Sequence, residues 1–184
     1  MTANIVTANI VTPNIVTPNI LFVCTGNATR SILAATYTAH ARPSWQVASA
    51  GTMALEGQYL SRRTIAAFES VQVPVPRHRS RALNAALLGP TDAVLCFERE
   101  HLDFIRRVHG DFADRAVLLR DAATALEPPG TQPLRARIAA VAAAPPGADV
   151  IDPGGLGDEV YIAVAREIVA LLDEALPRLG PADI

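Results

Sequence analysis

The sequence predicts an α/β fold: a four-stranded parallel sheet with helices on both faces, and a phosphate loop between the first strand and the first helix. Three observations predict it. Short, continuous apolar runs, ILFVC at 20–24 and DAVLCF at 92–97, have the character of parallel strands buried on both faces. Stretches with helical spacing alternate with those runs, which is the order of a parallel sheet wrapped by helices. The first run ends in Cys24-Thr25-Gly26-Asn27, with turn residues leading straight into a helix-capable segment.

The chain of 184 residues is long enough for one domain with a substantial core, and half of its residues are hydrophobic. The formal net charge of −2 argues against nucleic-acid binding driven by charge. All sixteen basic residues are Arg, a side chain whose planar fork binds two phosphate oxygens at once. The only cysteines are Cys24 and Cys96, too few for a disulfide framework and without metal-ligand spacing, so no metal is expected. No apolar run reaches the length of a membrane span. The first positive residue is Arg30, so the N-terminus lacks the charged region of a signal peptide, and a reducing cytoplasm is the expected compartment.

Taken in order, residues 1–20 are a five-residue repeat (MTANI, VTANI, VTPNI, VTPNI), of which 1–18 is read as a disordered tail; residues 19–184 form the single domain. Pro13 and Pro18 weigh against a continuous strand in the tail. The first strand is Ile20–Cys24, followed by a helix from Ser31 to about His40. A second strand spans Gln46–Ala50, and a helix spans Ser61–Phe68. Asp92–Phe97 is the third strand, Glu98–Val108 a helix, and Ala116–Leu119 the fourth strand. Near the end, Tyr161, Val164, Ala165, Ile168, Leu171, Leu172, Ala175 and Leu176 recur at steps of three and four, the mark of an amphipathic helix. Residues 127–150 differ: Pro/Gly clusters bracket an Arg/Ala segment. They read as a surface excursion with one or two helical turns, the alternative being a lid, because Asp152 follows directly.

The chemistry concentrates at 24–31. Ligands of open α/β sheets bind beyond the carboxyl ends of strands. A loop feeding a helix N-terminus there aims backbone N–H groups and a partial positive charge at one point, which suits an anion. Thr25, Gly26, Asn27, Ala28, Thr29 and Ser31 are the expected substrate-binding loop. The same field favours a thiolate, which makes Cys24 the candidate nucleophile. Arg30 is placed to grip phosphoryl oxygens, and Ser31 to donate its hydroxyl to the sulfur. The bare C-x5-R spacing is weak evidence, because two Cys and sixteen Arg produce it by chance roughly one time in six. The alternative reading of Cys24 is a buried structural cysteine.

ILFVCTGNATRS resembles the signature of low-molecular-weight protein-tyrosine phosphatases, C-x-G-N-x-C-R-S-P after an apolar strand. Further segments resemble that family in order: Ser49–Thr52, His78–Arg81, Asp92–His101 and Asp152–Pro153. The resemblance implies Cys24 as nucleophile, Arg30 as phosphate clamp and Asp152 as general acid. It also implies Asn27, Ser31, Ser49 and His78 as a hydrogen-bond network supporting the loop. Asp152 read alone is a turn residue before proline, and His78 alone a surface histidine among Arg77, Arg79 and Arg81. The implied reaction is phosphomonoester hydrolysis through a phosphocysteine, with no metal or organic cofactor, by a monomer acting on a phosphorylated protein or small phosphoester.

The sequence departs from the family pattern at several points. Thr29 stands where the family has a second loop cysteine, and Ile32 where it has proline. Ala28 occupies a position that bears on specificity in the family. Gly154 and Gly155 replace the aromatic residues that usually follow Asp-Pro, and Met53, Ala54 and Leu55 stand where another aromatic is usual. Arsenate reduction with an external thiol, hydrolysis of phosphoarginine or of a small phosphorylated metabolite, and non-catalytic phosphate binding are the alternatives.

Overall fold

The computed structural model describes residues 17–182. Four strands, β1 (Asn19–Cys24), β2 (Gln46–Gly51), β3 (Ala93–Cys96) and β4 (Ala116–Leu118), form one all-parallel sheet in the order β2-β1-β3-β4. The fold class is the expected one.

Alternation along the strands divides the core between the two faces. Ile20, Phe22, Leu95 and Val117 point to one face, Leu21, Val23, Val94 and Leu118 to the other, and all are buried. The first face is covered by α1 (Arg30–Ala41), α2 (Arg62–Ser70), α5 (Leu119–Thr124) and α7 (Asp158–Leu179), the second by α3 (Ala85–Leu88) and α4 (Arg99–Val108). Burial on both sides is why the strands read as unbroken apolar runs. The cysteines part company here: Cys24 belongs to the first face and Cys96 to the second.

The long elements start and stop within a few residues of their expected bounds, and local chemistry accounts for the ends. The Ser61 hydroxyl caps α2 by accepting from the Thr64 N–H. Glu98 and His101 form a reciprocal capping pair at α4. Three short elements were not anticipated: α3, α5 and a 3-10 turn at Gly110–Arg115. Pieces of four to six residues are too short to display a helical period.

The expected tail needs one correction. Residues 1–16 lie outside the described residues, but the ordered chain begins before residue 19. Pro18 is buried, and its carbonyl accepts a hydrogen bond from the Gln46 N–H at 3.0 Å.

The excursion at 127–150 contains a nine-residue helix, α6 (Leu134–Ala142), longer than the one or two turns expected. It packs on β4, α5 and the 3-10 turn, and Ile138 enters the core of the first face. Helix α6 thus flanks the edge strand β4 instead of lying over the end of β1. Its anchor is Arg137, which donates to the carbonyls of Glu127 (2.7 Å), Arg178 (2.6 Å) and Leu179 (3.3 Å). The last two are terminal carbonyls of α7, where a cation also meets the negative end of the helix dipole. Burial lowers the basicity of this guanidinium, so its place depends on those acceptors. Arg137→Met should therefore lower the unfolding free energy by roughly 1–3 kcal/mol in urea titration, because buried acceptors are left unmet.

Candidate active site

The strand order reverses at β1, whose neighbours β2 and β3 follow it in sequence on opposite sides. Chain segments leave such a switch point in different directions and open a crevice at the strand ends. Three strand ends meet there. β1 delivers Cys24–Arg30, β2 delivers Ser49 and Gly51, and β3 runs into Glu98 and His101. A fourth segment arrives from the excursion, fastened where Val150 N–H donates to the Phe97 carbonyl at 2.7 Å.

Asn27 organises the loop. Its backbone is left-handed, with φ of 50°, a conformation that asparagine tolerates better than most residues. The Arg81 N–H can only donate, so its 3.0 Å partner on Asn27 is the amide oxygen. That fixes the orientation of the side chain. The amide Nδ2 then donates to the hydroxyls of Ser31 and Ser49, each at 2.9 Å. Because Ser31 Oγ accepts from the amide, its own proton is free to point at Cys24 Sγ, 3.0 Å away. The His78 Nε2–H donates to the Asn27 carbonyl at 2.8 Å, and burial keeps this ring less basic than a free histidine. Gly51 lies so close that a Cβ there would fall 2.6 Å from the Thr25 carbonyl and 2.8 Å from the Asn27 nitrogen.

Arg30 is 1% exposed and lies beneath the loop. Its Nη1 donates to Glu98 Oε2 at 2.6 Å and to the Val150 carbonyl at 2.9 Å. Both protons of that nitrogen are committed, which leaves the Nε–Nη2 edge for an anion. Nη2 meets Asp152 Oδ2 at 2.6 Å and Thr25 Oγ1 at 3.4 Å. The other Asp152 oxygen accepts the Gly154 N–H at 2.9 Å, and Gly155 completes the turn with φ of 79°. A left-handed position accounts for glycine at 155.

The structure thus brings together Cys24, Thr25, Asn27, Arg30, Ser31, Ser49, His78 and Asp152. Three loop positions differ from a simple substrate-facing reading. The Thr29 hydroxyl turns away to Thr64 on α2 at 2.9 Å, and the side chains of Asn27 and Ser31 are spent on the internal network. Only the backbone at Thr29 remains for a ligand. Gly26 and Ala28 lie on the outer side of the loop, half-buried and exposed respectively.

Two residues were missed as site residues, although both lie in the quoted segment 92–101. Glu98 pairs with Arg30 Nη1 at 2.6 Å. His101 is fully buried; its Nδ1 accepts the Glu98 N–H at 3.1 Å, so the proton sits on Nε2 and is donated to Thr25 Oγ1 at 3.0 Å. Burial, with the Arg30 charge beside it, lowers the His101 pKa to about 4. The ring is therefore neutral, and its 3.5 Å approach to Glu98 Oε2 is not an ion pair at neutral pH. Among the described residues no group of three His, Cys, Asp or Glu could hold a metal ion, and no helix is long and apolar enough to cross a membrane.

The family model described as low molecular weight phosphotyrosine protein phosphatase matches residues 19–127, more than half of the chain. The chain belongs to that family. A relative named low molecular weight protein-tyrosine-phosphatase PtpB, from Staphylococcus epidermidis, is 33% identical over 90 residues, which is 49% of this chain and 63% of that protein. The chain thus spans less than two thirds of that relative's length. A protein-arginine-phosphatase from Geobacillus stearothermophilus is 28% identical over 160 residues, covering 86% of this chain and 94% of the relative. The solved YwlE arginine phosphatase from the same organism superposes with a TM-score of 0.70 at 28% identity, over 85% of this chain and 89% of that one. The tyrosine phosphatase Wzb from Escherichia coli K30, in complex with sulphate, shares the fold with a TM-score of 0.73 at 22% identity, over 90% and 100% of the two chains.

The perturbed histidine of this family member yields a pH prediction. Unfolding returns His101 from about 4 to about 6.5, so the unfolded chain binds the extra proton. Stability from this residue is present above pH ~6.5 and is lost as pH falls toward ~4. Between pH 7.5 and 5, wild-type protein should lose ~2 kcal/mol more than His101→Gln in urea unfolding.

Proposed function

We propose that the chain is a cysteine-dependent phosphomonoester hydrolase that works through a phosphocysteine intermediate without a metal or organic cofactor. The observation that carries this reading is Cys24 Sγ at 3.0 Å from the Ser31 hydroxyl, at the base of a loop pinned above the buried Arg30. The Ser31 hydroxyl is placed to donate to that sulfur, and the loop N–H groups with the Nε–Nη2 edge of Arg30 offer a preorganised cradle for phosphoryl oxygens. An entering phosphoryl group displaces Asp152 from Arg30, and the freed carboxylate takes up a proton from solvent or from the substrate monoanion. That carboxyl group then protonates the leaving oxygen as sulfur attacks phosphorus in line, and the resulting carboxylate afterwards accepts a proton from the water that frees phosphate. Glu98, held by its own contacts, keeps Arg30 in place during the exchange.

The substrate on this reading is a phosphorylated protein or small phosphoester, and the protein acts as a monomer. We also infer a reducing compartment, the cytoplasm, because a catalytic cysteine with no protecting partner is lost to oxidation elsewhere. Thr29 supplies no thiol to protect Cys24, and Cys96 faces the other side of the sheet, with burial pushing its thiol up. Those facts also weaken a thiol-relay arsenate reductase.

Phosphoarginine is the second reading of the substrate. It is favoured by the protein-arginine-phosphatase relative, matched over 94% of its length, and by Gly154 and Gly155, which offer no ring to stack on phosphotyrosine. Turnover of phosphoarginine against a phosphotyrosine peptide separates the two.

Cys24→Ser should abolish hydrolysis of para-nitrophenyl phosphate while vanadate still binds. Asp152→Asn should cost roughly a hundredfold or more on phenyl phosphate, whose oxygen leaves poorly, and at least tenfold less on the activated nitrophenyl ester. Equal losses on both esters would show that Asp152 is not the acid. Serine-variant activity comparable to wild type would remove Cys24 as nucleophile.

A further inference from the structure

Beside the phosphate loop lies a groove of about 490 Å³ that the proposed chemistry does not use. Its floor is apolar, with Leu60, Ile65, Val75 and Pro76, and its rim carries Arg77 and Arg79. It adjoins the loop through two supports. The groove residue His78 holds the Asn27 carbonyl, and Ile65 follows Thr64, whose hydroxyl meets Thr29.

The charge of this region runs against that of the molecule. Residues 57–81 hold five Arg against one Glu, in a chain of net charge −2. Most of these guanidinium groups are occupied. Arg63 pairs with Asp158, Arg81 donates to the Ser49 carbonyl, and Arg79 lies over the Tyr59 ring and donates to the Gly57 carbonyl. Arg77 is exposed and has no hydrogen-bond or ion-pair partner among the described residues. Apolar side chains are exposed alongside it: Tyr59 is 70% accessible and Val75 42%. Exposed apolar side chains beside an unpaired cation suit a ligand that carries both an apolar group and a carboxylate. A polypeptide can offer such a surface both an apolar side chain and a charge, which a lone phosphate ion cannot.

We propose that this groove receives the segment of a substrate polypeptide next to its phosphorylated residue, with an apolar side chain over Leu60 and Val75 and a carboxylate on Arg77. The proposal rests on the phosphatase reading and names the substrate's surroundings. The phosphorylated side chain is held by the loop for chemistry, and the flank supplies selectivity through charge complementarity, which acts on encounter and is screened by salt.

The test uses two phosphotyrosine peptides that differ only in their flanks, Asp/Glu with Leu in one and Lys with Leu in the other, with para-nitrophenyl phosphate as internal reference. Wild-type protein should favour the acidic peptide in kcat/KM by about three- to fivefold at low salt, less at high salt. Arg77→Glu should reverse that preference, and Val75→Asp should reduce turnover of the acidic peptide relative to the nitrophenyl ester. Equal treatment of the two peptides, a preference that survives Arg77→Glu, or turnover of the ester with neither these peptides nor the same sequences carrying phosphoarginine cleaved overturns the groove. Failure of the wild-type protein on nitrophenyl phosphate itself refutes the phosphatase reading instead.

Discussion

One buried amide governs the geometry of the site. Asn27 holds a left-handed backbone, takes the Arg81 N–H on its oxygen, and gives both amide protons to serine hydroxyls. Each bond decides the direction of the next, from a backbone donor that cannot reverse to a serine proton aimed at sulfur. A loop prepared in this way does not have to be rearranged when charge develops on a ligand, the condition under which fixed dipoles stabilise most effectively. The network draws on β1, β2 and the 78–81 segment together, so the loop's shape is a property of the packed domain.

Arg30 shows a complementary constraint. A guanidinium 1% exposed needs partners, and it has two carboxylates with different duties. Glu98 is half-sheltered at the end of β3 and secured by α4, whereas Asp152 sits on an exposed turn with glycine at its apex. The tighter setting of Glu98 suits a permanent partner, and the looser setting of Asp152 suits one that an anion can replace. Neutral His101 fits the same logic. A second cation beside Arg30 would be costly, and the ring serves as a one-way donor to Thr25.

The excursion at 127–150 changes meaning once its contacts are known. Arg137 ties it to the end of α7, Asp121 accepts the Gly147 N–H with both oxygens, and Asp149 receives Arg99. Burial works to raise the Asp149 pKa, but the hydrogen bonds and charge of Arg99 bring it below the usual value. This chain of attachments carries the backbone from the far sheet edge to Val150 and so sets where Asp152 stands. The segment read as a surface excursion is fastened along its length and acts as a strut.

The sequence alone determined the strands, their order of appearance, the long helices and the loop at 24–31, because buried parallel strands and amphipathic helices leave periodic apolar patterns that need no partner to be read. Through the resemblance it also pointed to Asn27, Ser31, Ser49, His78 and Asp152. Tertiary structure alone decided the rest. The side of the sheet on which each cysteine lies, the commitment of Arg30 Nη1 to Glu98, the buried neutral state of His101 and the turning of Thr29 toward Thr64 all involve residues brought together by packing. So does the placement of α6 on the β4 edge. A hydrogen bond between residues 30 and 98 leaves no local spacing or period in the chain, since the fold brings them together only when β1 and β3 lie side by side.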